Sequence, residues 1–145
     1  MATKKFVISW FASAIIMFIF SYLWHGVMLN DVSMLRYPFG LFLLFASIVY
    51  LIAGAVLAKA FTFEIFSRFA KHPFLKGLIV GAICGVLLYI ISIVVGVSYT
   101  KNLSREYMLI DICWQMIEQA IGGLVVGLVH VFVWDDSMIR PEDLD

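Results

Sequence analysis

Two carboxylates and an amide recur on one face of the apolar segment 108–134, which reads MLIDICWQMIEQAIGGLVVGLVHVFVW. At about 100° per residue, an α-helix would carry Asp111, Gln115 and Glu118 on the same side. The segment is long enough to cross a membrane, where an ionised carboxylate costs several kcal/mol. Glu118 is therefore expected to be protonated, hydrogen-bonded to another helix, or turned toward a hydrated cavity. These three residues are candidates for ligand binding or proton handling, with an interhelical hydrogen bond as the structural alternative.

A second polar group follows the first apolar segment and contains His25 and Asp31. Asp111 should reach the same membrane surface, so one interpretation is an outward-facing pocket in which a carboxylate fixes the tautomer of His25. The alternative is a histidine that contacts headgroups and water. A zinc site from these residues lacks regular ligand spacing, and His25 and His130 lie at different depths, unlike a pair of haem ligands. We therefore predict no metal and no cofactor.

Other classes of chemistry have no motif in the chain. No nucleophile motif, phosphate-binding loop or cofactor fingerprint is present, so an enzyme is the least favoured class. The formal net charge is zero and no run of Lys or Arg could follow a phosphate backbone, which argues against nucleic acid as a partner.

The elements that carry these residues are membrane spans. Hydrophobic residues make up 63% of the chain and charged residues only 14%, with a mean hydropathy of +1.02. Soluble proteins are about half apolar and a quarter charged, so this is an integral membrane protein. We predict one transmembrane domain over residues 1–145, and its parts are four spans and an exposed acidic tail: 6–24, 39–61, 76–99, 108–134 and 135–145.

Small residues indicate how the spans pack. Gly77, Gly81 and Gly85 follow one another at four-residue steps in the third span, and Gly123 and Gly127 are spaced in the same way in the fourth. Such stripes allow two helix backbones to approach closely. The predicted fold is all-α: an antiparallel four-transmembrane-helix bundle with a short interfacial segment after the first span.

Basic residues predict the orientation in the membrane, because cytoplasmic loops are enriched in Lys and Arg. The start, the second connection and the tail carry seven of them, against three on the other side. The seven are Lys4, Lys5, Lys59, Arg68, Lys71, Lys76 and Arg140; the three are Arg36, Lys101 and Arg105. Both termini are therefore predicted to be cytoplasmic.

Two stretches carry a resemblance to a known group of proteins. SYLWHGVMLND at the end of the first span, taken with DICWQMIEQAIGGLVVGL in the fourth, resembles small four-span bacterial inner-membrane proteins of unknown function, in which an aromatic-rich motif also ends the first helix. The resemblance implies a four-helix membrane bundle in a bacterial inner membrane. It implies no activity and no functional residue.

Two functional hypotheses follow. The first is a small non-enzymatic membrane protein, an accessory or interaction subunit of a larger complex, whose partners are the lipid bilayer and other membrane-protein subunits or a second copy of itself. The second is a small carrier or proton-linked ligand-binding protein that uses the polar face of the fourth helix.

Overall fold

The computed structural model describes residues 4–29, 38–97 and 105–133. Helices make up nearly all of these residues, and no strand occurs among them. In chain order they are α1 (Lys4–Ser21), a π-helical segment (Tyr22–Met28), α2 (Phe39–Phe61), α3 (Glu64–Phe69), α4 (Pro73–Val97) and α5 (Arg105–Phe132).

Within the described part of the chain, four helical stretches are long and apolar enough to cross a membrane. They are Lys4–Met28, Phe39–Phe61, Pro73–Val94 and Met108–Phe132. For the described residues, the prediction of an all-helical fold with four such helices is confirmed. Parts of the predicted interfacial segment and the acidic tail 135–145 lie outside the described residues.

Prolines set two of the helix starts. The carbonyl oxygen of Pro38 accepts the backbone N–H groups of Leu41 and Phe42, at 3.0 and 3.3 Å, and α2 begins at the next residue. Helix α4 begins at Pro73 itself, whereas the predicted span began at Lys76. Proline suits the first turn of a helix because its missing N–H would have no intrahelical partner there.

The first membrane-length helix changes its winding before it ends. The predicted span ended at Trp24, but the helix continues through Met28 as a π-helical segment. Its last backbone bond runs from the N–H of Leu29 to the carbonyl oxygen of Trp24, at 2.9 Å. π-Helical turns are rare and are frequently found at functional sites, which draws attention to Trp24 and His25.

Helices α4 and α5 have the most extensive contact in the structure. Their contact pairs, in order along α4, are Pro73 with Gly127, Gly77 with Gly123, Gly81 with Gln119 and Gly85 with Gln115. A methyl group added at Gly85 would lie 2.6 Å from the carbonyl oxygen of Gln115. Backbone therefore packs directly on backbone along this interface.

Helix α1 packs against both α2 and α5. The indole N–H of Trp10 donates a hydrogen bond to the carbonyl oxygen of Leu51 in α2, at 2.6 Å. A methyl group at Gly54 would lie 2.8 Å from the carbonyl oxygen of Trp10, so these two helices also approach closely. Helix α5 contacts α1, α2 and α4 and makes the most extensive contacts overall, so it is the central helix.

The core is small and lies between these helices. Its buried cluster consists of Met17, Ala53, Leu57, Phe61, Val80, Cys84 and Val126. Large apolar side chains cover the outer surface instead, for example Val27, Val94 and Phe132, which are 63%, 65% and 76% exposed. An apolar exterior of this kind suits lipid rather than water.

Candidate functional site

Glu118 lies in the middle of α5 and is completely buried, with 0% of its surface exposed. Three side chains that can donate a hydrogen bond lie within reach of its carboxyl group: the hydroxyls of Ser21 in α1 and Tyr50 in α2, and the indole of Trp114 one turn earlier in α5. Ser21 and Tyr50 also lie within reach of each other. We call Ser21, Tyr50, Trp114 and Glu118 the Glu118 cluster.

The carboxyl group is surrounded by donors, yet it is not bonded to them. Neither oxygen of Glu118 makes a hydrogen bond of acceptable distance and angle, although three donors lie nearby. A buried polar group left in this state costs about 1–3 kcal/mol, and more if it is charged. The cluster is therefore unfavourable for stability as it stands, which is typical of residues kept for binding or proton transfer.

Gln119, the next residue, is also completely buried. Neither its amide nitrogen nor its amide oxygen makes a hydrogen bond. Its backbone carbonyl contacts Gly81 of α4. Two adjacent unsatisfied polar side chains thus occupy the centre of α5.

An aromatic pair borders the cluster. The rings of Trp24, in the π-helical segment, and Trp114 are stacked with their centroids 4.2 Å apart and their planes 10° apart. Both indole nitrogens are buried and make no hydrogen bond. Trp114 therefore connects the Glu118 cluster to the π-helical segment.

A groove of about 380 Å³ opens on the outer surface beside this pair. Its lining side chains are all apolar: Trp24, Leu109, Ile110, Cys113, Trp114 and Ile117. Trp114 belongs to both the groove and the Glu118 cluster and therefore links the surface groove to the surroundings of the buried carboxyl.

The other predicted site residues of α5 lie apart from this cluster. Asp111 is half-buried about two turns from Glu118, close enough to Tyr89 of α4 for an electrostatic interaction. The hydroxyl of Tyr89 donates to the carbonyl oxygen of Met108, at 2.7 Å. Gln115 is half-buried, and its backbone carbonyl packs at Gly85.

The predicted outer pocket is only partly described. His25 is half-buried in the π-helical segment, and Asp31 lies outside the described residues. Over residues 4–29, 38–97 and 105–133, no three His, Cys, Asp or Glu side chains are grouped as metal ligands would be. Cys84 and Cys113 are free thiols, the first buried and the second exposed.

Sequence reasoning did not single out Ser21 and Tyr50. A signal existed for Tyr50, because it lies in the middle of the predicted span 39–61, whereas tyrosines in membrane helices concentrate at the interfaces. Ser21 carries no such signal, since serine is a common small residue in membrane helices.

The arrangement limits the chemistry that the site can perform. A carboxyl group with hydroxyl and indole neighbours can hold a proton, a cation or a hydrogen-bonding ligand. No protein-family model matches the chain, and neither does any curated protein or any solved structure.

Proposed function

We propose that this chain is an integral protein of a bacterial inner membrane, in which α1, α2, α4 and α5 cross the bilayer as an antiparallel bundle with both termini in the cytoplasm. The apolar exterior and the four helices of membrane length support the insertion. The seven-to-three distribution of basic residues supports the orientation. The resemblance of SYLWHGVMLND to small bacterial inner-membrane proteins supports the location.

We propose further that the protein is a small, non-enzymatic, proton-linked ligand-binding protein or carrier, with Glu118 as the group that takes up and releases the proton. The observation that carries this proposal is the complete burial of a carboxyl without a hydrogen bond in the centre of a membrane-length helix. Such intramembrane carboxyls are expensive, and they mark ion and proton pathways.

The position of the cluster favours this role over partner recognition. An accessory subunit that bound its partner through the polar face of α5 would leave that face uncovered. In this chain α1, α2 and α4 all pack against α5, and Ser21 and Tyr50, which lie next to the buried Glu118, come from the chain's own helices. Glu118, on the polar face of α5, therefore contacts the interior of this chain.

An accessory or interaction subunit is the second candidate, and the apolar groove favours it. The groove beside Trp24 and Trp114 opens on the outer surface and could seat a helix of another subunit or of a second copy. In this case Glu118 would contribute only to the packing and polarity of the interior.

Reconstitution separates the two candidates. The full chain in liposomes, loaded with a pH-sensitive dye and subjected to a potassium diffusion potential, should conduct protons faster than protein-free liposomes. Glu118→Gln should reduce this flux to background because the amide cannot release a proton. Glu64→Gln is the matched control, since Glu64 is exposed on α3 and its loss should leave the flux unchanged.

Two outcomes would contradict the carrier. One is a wild-type flux equal to that of empty liposomes; the other is an unchanged flux in Glu118→Gln. A stable partner that co-purifies in mild detergent and is lost on Ile117→Lys, a groove substitution, would then support the accessory role. Infrared difference spectra across pH provide a check without transport, because a carboxyl band that titrates in wild type should be missing in Glu118→Gln.

A further inference from the structure

Basic side chains from three helices meet at one end of the molecule, far from the Glu118 cluster. Lys5 lies in the first turn of α1, Lys76 in the first turn of α4 and His130 in the last turn of α5. The ammonium group of Lys5 lies 3.5 Å from the backbone carbonyl oxygen of His130. Both lysines are close enough to the imidazole ring to interact with it electrostatically.

The neighbours of these residues hold them in place. The ammonium group of Lys76 donates to the hydroxyl of Ser67, at 2.7 Å, and lies 4.7 Å from the centroid of the Phe61 ring. The Phe61 ring is in turn 4.5 Å from the ring of His130. This arrangement is a built site and differs from the freely exposed Lys59 and Lys71 at the same end.

The orientation of His130 leaves one ring nitrogen available. Its Nδ1 lies 2.9 Å from the carbonyl oxygen of Val126, and a carbonyl can only accept, so Nδ1 carries the hydrogen. Nε2 is then an acceptor in the neutral ring and a donor in the protonated ring. Two ammonium groups, joined by Nε2 when the ring is protonated, can bind a tetrahedral oxyanion.

Among residues 4–29, 38–97 and 105–133, negative charge is scarce around the site. Glu106, Asp111 and Glu118 lie in the first half of α5, so Glu64 in α3 is the single described acidic residue on the segments at this end. The charge of Lys5 and Lys76 is therefore largely uncompensated by described residues. An anion would supply the missing charge.

We propose that Lys5, Lys76 and His130 form a binding site for the phosphate group of an anionic phospholipid headgroup. All three residues lie at the ends of membrane-length helices, which is the depth of the headgroup phosphates. The apolar surface of these helices continues away from the site and suits the acyl chains of the same lipid. Free inorganic phosphate has the same binding chemistry, so the experiment must separate the two sources.

The test measures the thermal unfolding midpoint of the full chain in mild detergent during titration with phosphatidylglycerol. Phosphatidylcholine with the same acyl chains and inorganic phosphate are the two comparison ligands. Phosphatidylglycerol should raise the midpoint saturably, whereas phosphatidylcholine and inorganic phosphate should leave it nearly unchanged. A rise of equal size with inorganic phosphate would overturn the lipid assignment, and so would one with phosphatidylcholine.

Substitutions locate the site. Lys5→Gln and Lys76→Gln should each weaken the apparent affinity about fivefold, because each removes one ammonium group from the phosphate site; fivefold corresponds to about 1 kcal/mol. His130→Gln should weaken it as well. Lys59→Gln and Lys71→Gln remove the same charge at the same end and should have no effect; equal losses in these controls would contradict a defined site. If a variant unfolds too easily for the thermal assay, native mass spectrometry of its folded fraction counts the bound phosphatidylglycerol directly.

Discussion

Glu118 is unusual because no neighbouring group forms a hydrogen bond with its carboxyl oxygens. Its carboxyl is completely buried among apolar helices and makes no hydrogen bond, although the side chains of Tyr50, Ser21 and Trp114 lie nearby. Asp111, two turns away on the same helix, is half-buried and interacts with Tyr89 instead. Two acids on one helical face therefore have different environments, and only one of them bears an energetic penalty.

The penalty predicts that Glu118 lowers the stability of the protein. Glu118→Met replaces the carboxyl with an apolar group of similar size and should increase the free energy of unfolding by about 1–3 kcal/mol, because the two unsatisfied carboxyl oxygens are removed. Thermal unfolding in detergent measures the change. Glu64→Met is the control, because Glu64 is exposed on α3 and its replacement should not increase the free energy of unfolding. A variant less stable than the wild type would show that the carboxyl is bonded after all.

The aromatic pair yields a second prediction about individual residues. Because the rings of Trp24 and Trp114 are stacked at 4.2 Å, their contributions to stability should not be additive. A double-mutant cycle with Trp24→Leu and Trp114→Leu should give a coupling energy of about 0.5–1.5 kcal/mol. The same cycle with Trp24 and Trp10 is the control, because Trp24 stacks on Trp114 whereas Trp10 bonds to Leu51. Its coupling energy should be no more than about 0.5 kcal/mol.

Individual helices show which features the sequence predicts well. Hydropathy and length were sufficient to find four helices of membrane length, because every backbone group in such a segment must be bonded within its own helix. The winding of Tyr22–Met28 was not predicted, since π-helical turns have no periodicity that a short segment can display. Helix α4 starts at Pro73, three residues before the predicted span, because proline suits the first turn of a helix.

The candidate site was predictable only on one helix. Helical periodicity places Asp111, Gln115 and Glu118 on one face of α5, but no periodicity shows which residues of other helices face them. Ser21 and Tyr50 are single polar residues in otherwise apolar segments, so their proximity to Glu118 depends on the packing of three helices. The glycine stripes were predictable from the sequence, because four-residue spacing of glycines indicates that another helix packs closely there.

Packing of α4 on α5 gives a prediction at the level of helices. A methyl group at Gly81 would overlap the backbone carbonyl of Gln119, and one at Gly123 would overlap that of Gly77. Gly81→Ala and Gly123→Ala should therefore each destabilise the protein by about 1–3 kcal/mol through overpacking. Replacement by leucine should cost more.

Gly40 offers the matched control for these substitutions. It lies in the first turn of α2, and a methyl group there would meet no atom within 4 Å. Gly40→Ala should be neutral or stabilising by up to about 1 kcal/mol, because alanine loses less conformational entropy in a helix. Equal unfolding midpoints for all three alanine variants would contradict the backbone-to-backbone contact.

For the molecule as a whole, α5 connects the two proposed sites. Its middle carries Glu118 against α1 and α2, and its last turn carries His130 beside Lys5 of α1 and Lys76 of α4. If the chain crosses the membrane as proposed, Glu118 lies inside the bilayer and the lysine site lies at its cytoplasmic surface. Proton release from Glu118 and lipid binding at the helix ends would thus both involve residues of α5.

The orientation of the whole molecule is the last prediction, and both proposed sites depend on it. The basic excess at the end that carries Lys5 and Lys76 predicts that this end faces the cytoplasm. Cysteines introduced at Ser33 or Asn102, in a background with Cys84→Ala and Cys113→Ala, should react with a membrane-impermeant thiol reagent on intact cells. A cysteine at Ser137 should react only after the cells are opened. The reverse pattern would place the lysine site outside the cell, where its lipid partner would have to come from the outer leaflet.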